Sequence, residues 1–304
     1  MCGLFGFVDY GRSLTRKQRS QLLTELSIAS EVRGTDATGI AYNQVGTLYI
    51  RKRPLPARKM WFRVSAESAI VLGHTRMASQ GSAKHSFNAH PFPGFAGQSF
   101  ALAHNGHIQN DRSLRRKEQL PPTHIETDSY VAVQLLERWG TLSFETLRKT
   151  AEILEGSFTF TLLSGDDALW LIRGNNPLYL VHFPGTGLYV YASTEDILKK
   201  ALRQLPFSLG RRETVPLSSG DLLRIDSRGK LSRRYFNDSH LYHSFGCFWD
   251  SWPRYLTGMN DPNSGHIADL KAVAPYFGFS PSDIDKMLKQ GMSLSEIEEF
   301  LYCT

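Results

Sequence analysis

With 304 residues, 41% of them hydrophobic, and a net charge of +6, the chain can bury a sizeable core, and nothing in its composition is fibrous or disordered. Neither an apolar run of membrane-spanning length nor an export signal in MCGLFGFVDYGR is present, so a cytoplasmic protein with no membrane partner is expected. Cys2, Cys247 and Cys303 form no CxxC pair, which argues against a disulfide framework or zinc knuckle, and the scattered basic residues disfavour nucleic acid as a partner.

In chain order, β-branched and aromatic runs predict a strand at Gly3–Val8, then a helix over Leu14–Val32 capped by Ser13 and stopped by Gly34. Further strands are predicted at Gly39–Asn43, Thr47–Arg53, Ile70–Arg76 and Ser99–His104. Helices follow at Asp128–Trp139, with Thr127 as cap and Gly140 as terminator, and at Ser143–Leu154. A second group of strands covers Ser157–Leu163, Ala168–Arg173, Leu178–His182 and Leu188–Ala192. Ser193-Thr194-Glu195-Asp196 reads as a capping box opening a short helix, and Leu222–Ile225 with Leu231–Tyr235 as a hairpin. Strands, then helices, then strands predict the α+β class. From Phe236 to about Gly265 no period is evident. His266–Tyr276, Pro281–Lys289 and Leu294–Tyr302 read as three short helices. The expected organisation is therefore a domain over 2–235, a connecting segment 236–265 and a helical extension 266–304.

Five residues carry chemistry. Cys2, exposed by removal of Met1, would hold a thiol and an α-amine on one residue, and the amine, with a reference pKa of about 8, can serve as a built-in base. A small buried thiol is the alternative. Asn105 and Gly106, after the strand ending at His104, could offer a side-chain amide and a backbone N–H to a developing oxyanion, or simply form a turn. Arg76 and Asp128 have the charges to hold an amino-acid carboxylate and ammonium. The alternatives, for each taken alone, are a surface arginine and a helix-start carboxylate stabilised by the dipole.

Six runs in order resemble the class II glutamine amidotransferases, members of the N-terminal-nucleophile hydrolases. They are Cys2-Gly3-Leu4-Phe5-Gly6, Arg33-Gly34-Thr35-Asp36-Ala37-Thr38-Gly39, Gly73-His74-Thr75-Arg76-Met77-Ala78-Ser79, Asn88-Ala89-His90-Pro91, His104-Asn105-Gly106-His107-Ile108 and Thr127-Asp128. The similarity spans about residues 2–235 and is closest to the glutaminase domain of glucosamine-6-phosphate synthase. It implies a four-layer αββα sandwich in which Cys2 attacks the glutamine side-chain amide and Asn105 and Gly106 form the oxyanion hole. It further implies that Arg76 binds the carboxylate, Asp128 binds the ammonium, and Arg33, Ser79 and His90 belong to the substrate site.

Met77, Ser79 and Gln80 depart from the Trp, Thr and His common in that loop, and Ala37 replaces a common serine. Residues 236–304 are too short for a synthase domain, so the expectation is either a separate ammonia-accepting synthase as partner or hydrolysis of the amide without transfer. Hydrolysis of another γ-glutamyl amide and a catalytically silent partner-binding module are the competing readings. No cofactor is implied. The histidines at 74, 85, 90, 104 and 107 suit hydrogen bonding in a pocket better than a metal site, so no metal is expected.

Overall fold

The computed structural model describes residues 2–65, 67–243 and 279–294, with single positions between 267 and 300. The chain divides into two compact units, residues 1–241 and 242–304.

The first unit is built on two antiparallel sheets. One has seven strands: β1 (Gly3–Asp9), β2 (Ala37–Gln44), β3 (Thr47–Arg53), β4 (Ile70–Arg76), β9 (Tyr179–Phe183), β10 (Leu188–Ala192) and β11 (Glu213–Val215), in the order β11-β9-β10-β1-β4-β2-β3. The other has six: β5 (Phe92–Phe95), β6 (Ser99–Ile108), β7 (Gly156–Ser164), β8 (Ala168–Arg173), β12 (Asp221–Ile225) and β13 (Leu231–Tyr235), in the order β13-β12-β8-β7-β6-β5.

Strand alternation sorts the side chains into layers, because successive residues of a strand point to opposite faces. On β1, Leu4 and Val8 enter a core shared with Ala101, Ala103, Leu163 and Leu171 of the opposing sheet, whereas Phe5 and Phe7 face the other way. There they meet Leu22, Leu23 and Leu26 of α1 (Arg16–Ala29) and Ile197, Leu198 and Ala201 of α5 (Glu195–Arg203). The outer face of the six-stranded sheet packs Leu102, Phe160 and Leu162 against Val131 and Leu135 of α3 (Tyr130–Trp139) and Leu147 and Ala151 of α4 (Phe144–Ile153). Two helical layers thus enclose two sheets, an α+β sandwich.

Several local readings change. The cap of α1 is Thr15, not Ser13: the Thr15 hydroxyl accepts from Gln18 N at 3.3 Å and Gln18 Oε1 accepts from Thr15 N at 2.9 Å. The Ser13 hydroxyl is turned to Asp9 Oδ1 instead, to which it donates at 3.4 Å, and Ser13 N–H donates to the same oxygen at 3.1 Å. The α-helix ends at Ala29 and a 3-10 turn covers Ser30–Arg33. Strand β6 continues past His104 to Ile108, so Asn105-Gly106 lies inside a strand paired with β7 and is not a turn. Helix α3 begins at Tyr130, two residues later than the sequence suggests, and Thr127 does not cap it. Thr194 alone caps α5, by accepting from Ile197 N at 3.4 Å.

Strands β5 and β11, and the short helices α2 (Asp111–Lys117) and α6 (Ser239–His243), were not visible in the hydrophobic pattern. In the second unit, α7 (Pro281–Lys289) forms as read, with Ser280 and Asp283 in a capping box. Leu270, Ala274, Ile284 and Ile297 make its described core. The unpatterned stretch after His243 and most of the other two terminal helices fall outside the described residues. No described helix is long and apolar enough to cross a membrane.

Candidate active site

Strand β1 lies between β4 and β10, and its antiparallel register with β4 pairs Gly3 with Thr75 and Leu4 with His74. Continued by one residue, that register sets Cys2 opposite Arg76. Gly3 is needed here because a Cβ at this position would press on the Thr75 hydroxyl and on Ser30. The half-buried Cys2 sulfur is bracketed by one backbone unit: Met77 N–H donates to it at 3.3 Å and the thiol donates to Met77 O at 3.4 Å. Arg33, buried behind the same residue, donates from Nε to Cys2 O at 2.8 Å. Burial pushes the thiol pKa up, while the Met77 N–H and the Arg76 and Arg33 guanidiniums work in the opposite direction.

Arg76 is buried, and three loop carbonyls hold its guanidinium: Gln80 O at 2.7 Å, Gly81 O at 3.1 Å and Ser82 O at 3.3 Å. Burial lowers its pKa, but Cys2, Asp36, Asp128 and Glu126 face it and favour the charged form. The loop is tied at two further points. Asp36 Oδ2 accepts from Ala78 N at 2.7 Å, and the Glu126 carboxylate accepts from Ser82 N at 2.8 Å and from Asn88 Nδ2 at 2.7 Å. Ser79 sits exposed on this loop, where no described hydrogen bond ties down its hydroxyl.

Asp128 is buried just ahead of α3 and accepts the Ile108 N–H at 2.6 Å, with the His107 ring nitrogen Nδ1 at 3.5 Å. This explains the late start of α3: Asp128 is drawn to β6, and the neighbouring Ser129 hydroxyl is bonded to His104 Nδ1 at 2.7 Å instead of capping the helix. Beside them three imidazoles are buried. The His74 and His90 rings lie 4.3 Å apart and those of His90 and His104 6.3 Å apart. Desolvation lowers His74 to about 3 and His104 to about 4, and pushes His90 well below its ordinary value, so all three are neutral near pH 7. His90 is 4% exposed, packs on Phe92, and neither of its ring nitrogens has a hydrogen-bond partner.

Asn105 and Gly106 occupy β6, where it passes close to β1. Gly106 has φ +127°, and a Cβ there would collide with the Ser157 carbonyl of β7, so only glycine fits. Asn105 is 1% exposed, and its Nδ2 donates to Ser193 Oγ at 2.8 Å. Cys2, Arg33, Arg76 and Asp128 therefore share one charged neighbourhood. Ser79 lies on the loop that holds Arg76, and His90 stands in the ring cluster.

Sequence reasoning missed Ser193, the Met77 backbone, and the loop anchors Asp36 and Glu126. Ser193 looked like the first residue of a helix cap, and only the pairing of Phe5 with Ala192 across β1 and β10 shows that it lies against β1.

Residues 74–200 match the family model described as a glutamine amidotransferase domain. The glutamine--fructose-6-phosphate aminotransferase [isomerizing] of Geobacillus kaustophilus is 28% identical over 233 residues, which are 75% of this chain and 36% of that protein. Its Staphylococcus aureus counterpart is 32% identical over 202 residues, 64% of this chain and 32% of the relative. Over these residues the chain is similar to glutamine amidotransferases. Among solved structures, the glutamine phosphoribosylpyrophosphate amidotransferase of B. subtilis, complexed with ADP and GMP, superposes with a TM-score of 0.61 at 19% identity. That superposition covers 78% of this chain and 49% of the other, and shows that the two share a fold. The chain spans about a third of the length of the curated relatives it matches.

Proposed function

We propose that this amidotransferase domain hydrolyses glutamine to glutamate and ammonia through a γ-glutamyl thioester on Cys2. The observation that supports this best is the Arg76 guanidinium facing both Cys2 and Asp128, because it sets a nucleophile beside a cation and an anion suited to one amino-acid head group.

With Met1 removed, the Cys2 α-amine accepts the thiol proton and the sulfur attacks the side-chain carbonyl carbon of glutamine. The Asn105 amide and the Gly106 N–H receive the negative oxygen, the role in acyl transfer that contributes most to rate. Collapse breaks the C–N bond, and the α-ammonium returns its proton to the departing ammonia. Water, deprotonated by the same amine, then cleaves the thioester to glutamate. Arg76 holds the α-carboxylate and Asp128 the α-ammonium, while Arg33 keeps the Cys2 carbonyl in place.

Three of the five guanidinium donors are occupied by loop carbonyls, both Nη2 protons among them, so a bidentate carboxylate contact through Nη2 requires the 80–82 segment to give one up. Ser79 on that loop supplies a hydroxyl to the bound substrate, and His90 supports the site from within its ring cluster. A synthase that consumes ammonia is the acceptor this reading calls for.

The test is ammonia release by protein of verified N-terminus, together with intact mass after exposure to a glutamine-like diazoketone. One adduct on Cys2 and steady ammonia production are expected. Absence of both refutes the proposal. Higher kcat/KM for a γ-glutamyl peptide than for glutamine would reassign the substrate.

A further inference from the structure

The Ser193 hydroxyl joins the two halves of the site. It is fully buried, accepts Leu4 N–H at 2.7 Å and Asn105 Nδ2–H at 2.8 Å, and lies 3.4 Å from Leu4 O, to which it donates. Ser193 N–H also donates to Leu4 O at 2.9 Å. A serine hydroxyl has one proton to donate and two lone pairs to accept with. Here all three are engaged: the proton is directed at β1, and the lone pairs receive β1 and Asn105.

A hydroxyl whose proton is committed to Leu4 O presents only acceptor capacity to Asn105. It therefore selects the –NH2 side of the carboxamide over the oxygen side. Asn105 Nδ2 carries two protons, and one of them bonds Ser193, which leaves the second available. The amide oxygen Oδ1 is buried without a partner, an arrangement that costs free energy and would persist only if the amide were held from elsewhere. The same hydroxyl grips Leu4, two residues from the nucleophile, so the donor on one sheet is referenced to the thiol on the other.

We infer that Ser193 is a positioning residue for the oxyanion donor: its hydroxyl orients the Asn105 carboxamide with –NH2 toward the reacting centre and sets its distance from the Cys2 strand. This rests on the glutaminase reading above. It adds a residue that no contact with substrate would reveal.

The test compares Ser193→Ala, Ser193→Cys and Ser193→Thr with the parent chain. Ser193→Ala is expected to lower kcat roughly 10–100-fold, part of the 100–1,000-fold loss typical when an oxyanion donor is removed outright, with KM changed less than threefold. Ser193→Thr, which keeps the hydroxyl, should recover most of the loss. Ser193→Cys fills the same space with a poor acceptor and should behave like Ser193→Ala; it serves where the alanine variant does not fold. In an Asn105→Ala background the serine substitution should have no further effect on kcat, and alkylation of Cys2 by iodoacetamide should stay within twofold of the parent. An equal loss in both backgrounds, a parallel fall in alkylation rate, or a parent-like kcat in both Ser193→Ala and Ser193→Cys overturns the inference.

The Asn105 side-chain amide resonances in 15N-labelled protein give a readout independent of turnover. They should move on Ser193→Ala and return with Ser193→Thr, and unchanged resonances also overturn the inference. A parent protein that releases no ammonia would remove the glutaminase reading, while the amide resonances would still decide the orientation of Asn105.

Discussion

Replacing Arg19 by methionine should destabilise the first unit strongly while leaving the active-site groups in place. Arg19 on α1 and Asp9 at the end of β1 are 2% and 0% exposed, and the guanidinium meets Asp9 Oδ2 through both Nε and Nη2 at 2.9 Å. Its Nη1 donates to Ser68 O at 3.0 Å. Methionine has a similar length but leaves the carboxylate buried without its cation. Breaking one partner of a buried pair costs about 3–5 kcal/mol. For a unit of this size that corresponds to a fall in Tm of roughly 6–20 °C.

Asp9 is at the far end of β1 from Cys2, roughly 20 Å away at a strand's rise per residue. Ammonia production per folded molecule should therefore stay within about twofold of the parent, in line with the near-independence of distant sites. Thermal and urea unfolding followed by tryptophan fluorescence, with activity assayed well below Tm, measure both quantities. The double variant Asp9→Leu/Arg19→Met should recover part of the loss, because the stranded charge is gone although Ser13 N and Leu14 N lose their acceptor. A single variant within 2 °C of the parent, or a double variant no more stable than the single, would refute the reasoning (threshold about one-third of the smallest expected shift).

The remaining predictions concern the site. Asn105→Ala should reduce kcat about 100–1,000-fold with little change in KM, as measured by steady-state ammonia release. Arg76→Lys should raise KM for glutamine at least tenfold, since a point charge cannot reproduce the planar fork, and calorimetric titration with glutamate reads the same loss. Acid should unfold the first unit through its buried histidines. His74 and His104, at about 3 and 4 in the folded chain, stay unprotonated while the unfolded chain takes up protons below about 6.5, so stability falls as pH drops from 6.5 toward 4. Each contributes a slope of up to about 1.4 kcal/mol per pH unit. His104→Gln should flatten a plot of Tm against pH in that window, and an unchanged slope would count against the burial argument.

How much of this was legible in the sequence depended on whether the information was local. Thr47–Arg53, Ile70–Arg76 and Ala168–Arg173 declare themselves by residue type and keep the same bounds in the structure. Gly140 stops α3 in the left-handed conformation that its position suggested. Errors came where a side chain had a tertiary obligation. Ser129 gives up capping to bond His104, the Ser13 hydroxyl is turned to Asp9, and Asn105-Gly106 is held in an extended strand by nine consecutive partners on β7. For the site, Cys2, Arg76 and Asp128 could be recognised as chemically suited groups, but the β1–β4 register is what brings Cys2 to Arg76, and the bond from Ile108 N–H on β6 is what places Asp128. Ser193 had no signature, because its role exists only once β1, β6 and β10 are assembled.

Strand β1 has further practical meaning because it is paired on both edges, by β4 and by β10. All of that pairing begins at Gly3 or later, so the architecture does not depend on which residue precedes Cys2. Processed and unprocessed chains should therefore share a melting curve while differing in a single acid–base group. If the Cys2 amine is the base as proposed, an affinity tag fused ahead of Met1 would purify a folded and inert protein, and a tag at the other terminus an active one. That pair of preparations amounts to a switch operated by one peptide bond, with the fold itself as the constant.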